Sequence, residues 1–320
     1  MKMKKNIALI YGGNSSEWQI SIQSGKFVAS HIDKDRYNVY EVLLRGASWS
    51  VGGTEIDKTD FSLTVGGEKI RFDMAFILIH GTPGENGLLQ GYLEMLGVPF
   101  NTCSAFVSAL TFDKHSCKRF LDFAGVKMAK DLFLRRGSEY TPAEIVRELG
   151  LPLFVKPSNG GSSFGVTKVK HEDELAAAME EAFKECDSVL IEEALRGREL
   201  TNGIYCEGGR LITLPVTEII TEREFFDYDA KYLGESNEVC PAEIPETLSE
   251  KVREITAFIY NYLGCKGLVR MDYILSGEDI YFLEINTVPG MTPMSLVPGQ
   301  VRAAGIDLQQ FFTTLIEESL

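Results

Sequence analysis

The chain has 320 residues, 44% of them hydrophobic, and sets 32 Lys+Arg against 46 Asp+Glu for a net charge of −14. That length exceeds one ordinary domain and suffices to bury a full core, while the acidic balance argues against nucleic acid or an anionic membrane as the main partner. Six scattered cysteines with no C-x-x-C or zinc spacing predict reduced structural thiols, and the lack of a membrane-length apolar run or a signal-peptide core after Met1 predicts a cytoplasmic protein.

The first hundred residues alternate apolar runs with helical segments. Ile7–Tyr11, Val39–Leu44 and Met74–Ile79 have the continuous apolar character of buried parallel strands, and Ile20–His31 has helical spacing. This predicts a doubly wound parallel-sheet α/β unit whose ligands lie beyond the carboxyl ends of its strands, where Gly12–Glu17 and His80–Gly87 fall. A helix from about Asp113 to Gly125 opens the next unit. In Thr141-Pro-Ala-Glu144 an N-cap, a proline at the first helical position and a capping-box glutamate start another helix, which Gly150 ends. Strand Leu153–Lys156, a glycine-rich loop, strand Val166–Val169, helix Asp173–Cys186 and strand Val189–Glu193 follow. Further on, Leu248, Val252, Ile255, Ile259 and Leu263 form one helical stripe ended by Gly264. The expected division is 1–100, 101–195 and 196–320, α/β first and α+β in the remaining two thirds.

The long irregular stretch Phe225–Pro241, with embedded aromatics and Lys231, reads as a lid. Beyond it, positions 268–287 read as two short strands with polar groups at alternate positions. Arg270 and Asp272 share a face of the first, Glu284 and Asn286 a face of the second. Hard oxygen donors on neighbouring strands suit Mg²⁺; a solvated antiparallel face is the alternative. All four groups share a face only if the connecting loop has an odd number of residues. A five-residue loop, Ser276–Ile280, would set Asp272 opposite Glu284 and Arg270 opposite Asn286.

Ser158–Gly165, after Lys156-Pro157, offers backbone N–H groups, hydroxyls and an ammonium to phosphate, or is simply a glycine-rich hairpin loop. No P-loop and no dinucleotide fingerprint is present. Lys114, Lys156-Pro157 with its loop, Ile191-Glu-Glu193, Arg270-Met-Asp272 and Leu283-Glu-Ile-Asn286, in that order, resemble the ATP-grasp superfamily. Within it, Gly13–Glu17, His80–Gly87, Lys156–Ser163, Tyr228–Tyr232 and Asn286–Leu296 are similar to the D-alanine:D-alanine ligases, and the likeness runs from about residue 6 to 318.

The resemblance implies an N-terminal substrate-binding domain before an ATP-grasp fold of two α+β subdomains, and ATP-dependent joining of two D-alanines through an acyl phosphate. It puts two Mg²⁺ ions, with Mn²⁺ as a substitute, on Asp272, Glu284 and Asn286. Lys114, Lys156, Ser162, Ser163 and Lys231 hold ATP, its adenine against Glu192, Glu193, Ala194 and Leu195 and its ribose on Glu199. Glu192 and Glu193 could otherwise face solvent. Arg270 and the Gly290 N–H serve the oxyanion. Glu17 meets the first ammonium and joins Ser162 and Tyr232 in a lid network, with a first-turn helix carboxylate as the plainer reading. His80 lies beside the first substrate, or is a loop hydrogen-bonder. Ser295 and Leu296 take the second carboxylate, Ser295 being otherwise an N-cap. Tyr232, where depsipeptide-forming relatives carry phenylalanine, favours D-alanine over D-lactate. Trp18, Asn86 and Phe164 depart from the family pattern. A homodimer is implied; another ATP-grasp ligase, or a non-catalytic nucleotide-binding sensor, is the competing reading.

Overall fold

A computed structural model describes residues 4–161, 164–221 and 236–320. In the first sheet β1 (Lys5–Gly12) runs parallel to β2 (Tyr37–Arg45) and to β7 (Met74–Ile77). Parallel neighbours need a crossover, and helix α1 (Trp18–His31) supplies it between β1 and β2. Four short strands not foreseen from the sequence, β3 (Ser48–Val51), β4 (Thr54–Asp57), β5 (Ser62–Val65) and β6 (Glu68–Arg71), extend this parallel core as an antiparallel meander, in the order β6-β5-β4-β3-β2-β1-β7.

Helices α2 (Leu88–Leu96), α3 (Ala105–Phe112) and α4 (Lys114–Asp122) lead to the second sheet. Asp113 caps α4 by accepting from the Ser116 N–H at 2.7 Å. The second sheet has the order β10-β9-β11-β8, built from β8 (Asp131–Arg135), β9 (Leu153–Pro157), β10 (Thr167–Val169) and β11 (Ser188–Glu193), all antiparallel. Helices α5 (Pro142–Leu149) and α6 (Leu175–Glu185) cover it through Ile145, Leu149, Leu175, Met179 and Ala182. Thr141 precedes α5, yet its side chain makes no capping bond. Proline at the first position and Gly150 at φ 76° delimit this helix instead.

The third sheet carries β12 (Arg198–Glu207), with β13 (Arg210–Thr213) and β14 (Thr217–Thr221) along one edge and β15 (Ser236–Val239) outside β14. Its other edge pairs with β16 (Val269–Ser276), then β17 (Asp279–Asn286). Helix α7 (Glu246–Leu263) buries the Val252, Ile259 and Leu263 part of its stripe against this sheet. Helices α8 (Leu296–Ala303) and α9 (Leu308–Glu317) close the chain. On α9, Phe311, Phe312, Leu315 and Ile316 pack in one core with Ile7, Leu9, Val28 and Phe76, so the carboxyl end covers the first sheet.

The β16–β17 turn corrects the expected five-residue loop. It has two residues, Gly277 and Glu278, between the pair Ser276 and Asp279. An even turn alone would put Glu284 on the face away from Asp272. One extra residue, Leu283, sits between Phe282, which pairs with Tyr273, and Glu284, which pairs with Asp272. This β-bulge restores the parity, so Asp272 does face Glu284 and Arg270 does face Asn286.

Candidate active site

The carboxyl ends of the first-sheet strands, the glycine-rich loop and the face of the β16–β17 hairpin surround an open cavity. It brings together Glu17, His80, Lys114, Arg270, Glu284, Asn286, Gly290, Ser295 and Leu296 from the sequence-predicted set. Lys156, Asp272, Glu192, Glu193, Ala194, Leu195 and Glu199 do not line it. Ser162, Ser163, Lys231 and Tyr232, with most of the expected lid, lie outside the described residues.

At one end Glu17 ends the loop after β1 at the N-cap position of α1, where its side chain makes no capping bond although the residue is buried. A Cβ added at Gly161 would stand 2.8 Å from Glu17 Oε2, so the glycine-rich loop comes close to this carboxylate. The neighbouring Trp18 ring carries the Arg45 guanidinium 4.5 Å from its centroid, and Arg45 also donates to the Gly13 carbonyl at 2.7 Å. Asn86 accepts from the Leu88 N–H at 3.3 Å, the turn-forming bond an aspartate would make.

His80 is buried, its Nδ1 lying 2.8 Å from the Val288 carbonyl oxygen. A carbonyl can only accept, so Nδ1 carries the proton. Burial holds the ring pKa below its ordinary value, outweighing the Glu17 charge and the Val288 bond, so the ring is neutral and Nε2 is an acceptor. Nε2 is buried with no hydrogen-bond partner. Beside it Glu85 accepts from the N–H of Gly81 at 2.7 Å and of Val288 at 3.4 Å. Burial, reinforced by the Glu17 charge, pushes the Glu85 carboxyl up to about 7.

On the hairpin, Asp272 accepts from Arg270 through both oxygens, at 2.9 and 2.8 Å, from Thr201 Oγ1 at 2.6 Å and from Asn286 Nδ2 at 3.1 Å. Lys114 Nζ donates to the Gly160 carbonyl at 2.8 Å and lies 3.8 Å from Glu284 Oε2, joining the glycine-rich loop to the hairpin. Ser295 is not the ordinary N-cap of α8, since its side chain makes no capping bond. Its Oγ instead accepts from the Thr292 N–H at 2.9 Å and sits where a Cβ on Gly290 would come within 2.9 Å.

Behind the cavity Glu192 turns inward and pairs with both Lys156 and Lys118, which excludes the solvent-facing reading. Burial alone would raise its pKa, but the two ammoniums outweigh that and hold it below the ordinary carboxylate value. Lys118 also reaches Asp131 at 3.2 Å and the Ala129 carbonyl at 2.9 Å. The Glu193 and Ala194 N–H groups donate to the Lys130 and Pro152 carbonyls, so these two are committed within the protein.

Sequence reasoning missed Glu85, Lys118 and Thr201. Two had a signal. Glu85 is a carboxylate in a loop beyond a strand end and Lys118 follows Lys114 by one helical turn, whereas Thr201, among other polar residues of its strand, had none.

Comparison with known proteins matches this arrangement. The family described as "D-ala D-ala ligase N-terminus" matches residues 6–103 and "D-ala D-ala ligase C-terminus" residues 121–317. A D-alanine--D-alanine ligase of Phocaeicola vulgatus is 49% identical, covering 98% of this chain and 99% of that one. One of Porphyromonas gingivalis is 44% identical, covering 99% of each. Among solved structures, the VanG D-Ala:D-Ser ligase of Enterococcus faecalis has a TM-score of 0.89 at 30% identity, covering 99% of this chain and 100% of that one. The Bacillus anthracis D-alanine--D-alanine ligase complexed with ATP has a TM-score of 0.80 at 30% identity, covering 98% and 97%. Fold and site thus define an ATP-grasp ligase. More narrowly, the chain belongs to the D-alanine–D-alanine ligase family.

Proposed function

We propose that this chain joins two D-alanine molecules into D-alanyl-D-alanine for peptidoglycan precursor synthesis, converting ATP to ADP and phosphate. The observation that supports the reading is one cavity lined by Glu17, His80, Lys114, Arg270, Glu284, Asn286, Gly290 and Ser295. Glu17 binds the first ammonium, and neutral His80 offers Nε2 as a further acceptor beside it. A carboxylate oxygen of this first D-alanine attacks the γ-phosphorus, ADP departs, and an acyl phosphate results. Ser295 and the N-terminus of α8 hold the carboxylate of the second D-alanine. Its amine, having lost a proton to solvent, attacks the acyl carbon, Arg270 and the Gly290 N–H stabilise the tetrahedral oxyanion, and inorganic phosphate leaves carrying the extra proton of the nitrogen.

ATP lies on Lys114, Lys156, Ser162, Ser163 and Lys231, with adenine along Glu192, Glu193, Ala194 and Leu195 and ribose on Glu199, and the family likeness gives Tyr232 a shared role with Glu17 and Ser162. Among the described residues no three His, Cys, Asp or Glu side chains form a metal cluster. The hairpin set is two carboxylates and an amide, hard oxygen donors that leave positions for phosphate and water, and it fits Mg²⁺. When bound at Asp272, Glu284 and Asn286, two Mg²⁺ ions, or Mn²⁺ in their place, supply neutralisation of the phosphoryl charge.

The division 1–100, 101–195 and 196–320, a homodimeric state and a cytoplasmic location complete the proposal. The unpaired cysteines support that location, and no described helix is long and apolar enough to cross a membrane. A second reading, D-alanyl-D-serine formation, is favoured by the likeness to the D-Ala:D-Ser ligase. Phosphate release with D-alanine alone, or with D-alanine plus D-serine or D-lactate, tests the choice. D-Alanine alone should support the highest turnover; a clear preference for D-serine or D-lactate as second substrate overturns the reading.

A further inference from the structure

We propose that Gln300 is a positioning residue that ties the helix of the second-substrate site to the strands of the metal site, holding Ser295 and Asp272 in fixed relation. The inference rests on the functional reading above for the roles of those two residues.

Strand β12 has one continuous neighbour, β16, from Arg198 opposite Leu275 to Ile204 opposite Val269. Its other edge is interrupted. There β14 pairs only as far as Thr201, and β13 pairs only from Ile204 onward. Buried backbone groups in such a gap must find partners. The Gly203 carbonyl accepts from the Leu214 N–H at 2.8 Å. The Thr201 carbonyl and the Gly203 N–H are served by a single side chain, with Gln300 Nε2 donating to the first at 3.1 Å and Gln300 Oε1 accepting from the second at 3.1 Å. A primary amide, one donor arm and one acceptor, here does what a peptide group of a neighbouring strand would do.

The fit is tight. Gln300 is completely buried between Val297 and Val301, also buried on the same helix. If packing alone mattered at this position, an apolar residue would serve as well. A Cβ on Gly203 would stand 2.7 Å from Gln300 Oε1 and 2.8 Å from a Leu214 methyl, so the strand lacks a side chain where the amide docks.

Both ends of this connection reach the site. Gln300 lies in α8, the helix that Ser295 precedes. Thr201 stands opposite Asp272 and donates its hydroxyl proton to Asp272 Oδ1 at 2.6 Å, both residues being buried. The physical path is therefore Ser295, α8, the Gln300 amide, the β12 backbone, the Thr201 hydroxyl and the Asp272 carboxylate. Loss of the amide frees α8 to shift against β12, and loss of the hydroxyl frees the carboxylate to rotate.

The test uses the full-length protein with Gln300→Met, which keeps length and removes both hydrogen bonds, and with Thr201→Val and Thr201→Ser. Two quantities are read: the KM for the second D-alanine with the first site saturated, and Mn²⁺ affinity in the presence of ADP without turnover, by electron paramagnetic resonance. Gln300→Met should raise both constants about tenfold while leaving the KM for the first D-alanine unchanged. Thr201→Val should weaken Mn²⁺ about tenfold, and Thr201→Ser should restore it. A lowered melting temperature with both constants unmoved means Gln300 only packs, and overturns the proposal. Should Gln300→Met fail to fold, unchanged Mn²⁺ affinity in Thr201→Val overturns it. Ser295→Ala and Asp272→Asn separate the two levels. If they leave the second KM and Mn²⁺ binding intact, the site reading falls and this proposal with it; if they act while the Gln300 and Thr201 variants do not, only this proposal falls.

Discussion

His80 and Val288 join the loop after the first sheet to the loop that carries Gly290, through Nδ1 and a carbonyl oxygen 2.8 Å apart. The contact sets the tautomer and leaves Nε2 a buried, unpartnered acceptor. Asparagine and glutamine separate the two nitrogens, because the Asn amide reaches the Nδ1 position and the Gln amide the Nε2 position. His80→Ala should lower kcat/KM by about tenfold to a hundredfold, the cost of one lost buried hydrogen bond and one unfilled acceptor site. His80→Asn should recover the part due to the Val288 bond. Steady-state kinetics with D-alanine varied over both sites would check this, and equal values for all three variants would contradict the division of roles.

Glu85 carries a stability cost that depends on pH. Its carboxyl titrates near 7 in the folded chain against an ordinary 4.5, because burial and the Glu17 charge disfavour ionisation. The folded state therefore holds a proton that the unfolded state has lost between those values. Stability contributed by this group is fully present below about 4.5 and declines as pH rises to about 7, by on the order of 3 kcal/mol in total. Glu85→Gln removes the titration. Its denaturant-unfolding free energy relative to the parent should rise from pH 4.5 to 7 and then level off; a difference independent of pH would refute the assignment.

Part of this site was legible before any coordinates. Alternation placed Arg270 with Asp272 and Glu284 with Asn286, but their opposition across the hairpin depends on the turn and the bulge together. The turn was not legible, because parity can be met by an odd loop or by an even turn plus one bulged residue, and Leu283 has no sequence signature distinguishing it from an ordinary strand leucine. The meander β3–β6 was missed because strands of four residues give too few alternations to register. Thr201 and Gln300 were invisible for a different reason. Their partners are Asp272 and the β12 backbone, and only the tertiary arrangement of β12, β16 and α8 brings them together.

Lys118 tests the buried charge network behind the cavity. Its ammonium meets Glu192, Asp131 and the Ala129 carbonyl with almost no exposure. Removing one member of such a set strands the others. Lys118→Met should destabilise the fold by at most about 3–5 kcal/mol, because Glu192 and Asp131 are left with one cation each, Lys156 and Arg119. Adding Glu192→Gln to that variant should recover part of the loss, since Glu192 then has Lys156 alone to balance its buried charge. Denaturant unfolding of the single and double variants measures the coupling; additive losses would show that the charges act independently.

Glu284→Gln separates chemistry from folding. The Glu284 side chain is 31% exposed, and its 3.8 Å approach to Lys114 is a loose, partly solvated pair of the kind that contributes at most about 1 kcal/mol. The substitution keeps shape and one oxygen while removing the charge that would face the metal–phosphate assembly. Turnover should therefore fall by at least about 10², the usual scale for losing a group that stabilises transition-state charge. The melting temperature should stay within a few degrees of the parent. Raising Mn²⁺ should restore part of the activity if the loss lies in metal affinity, whereas a variant that keeps full turnover would remove Glu284 from the metal site.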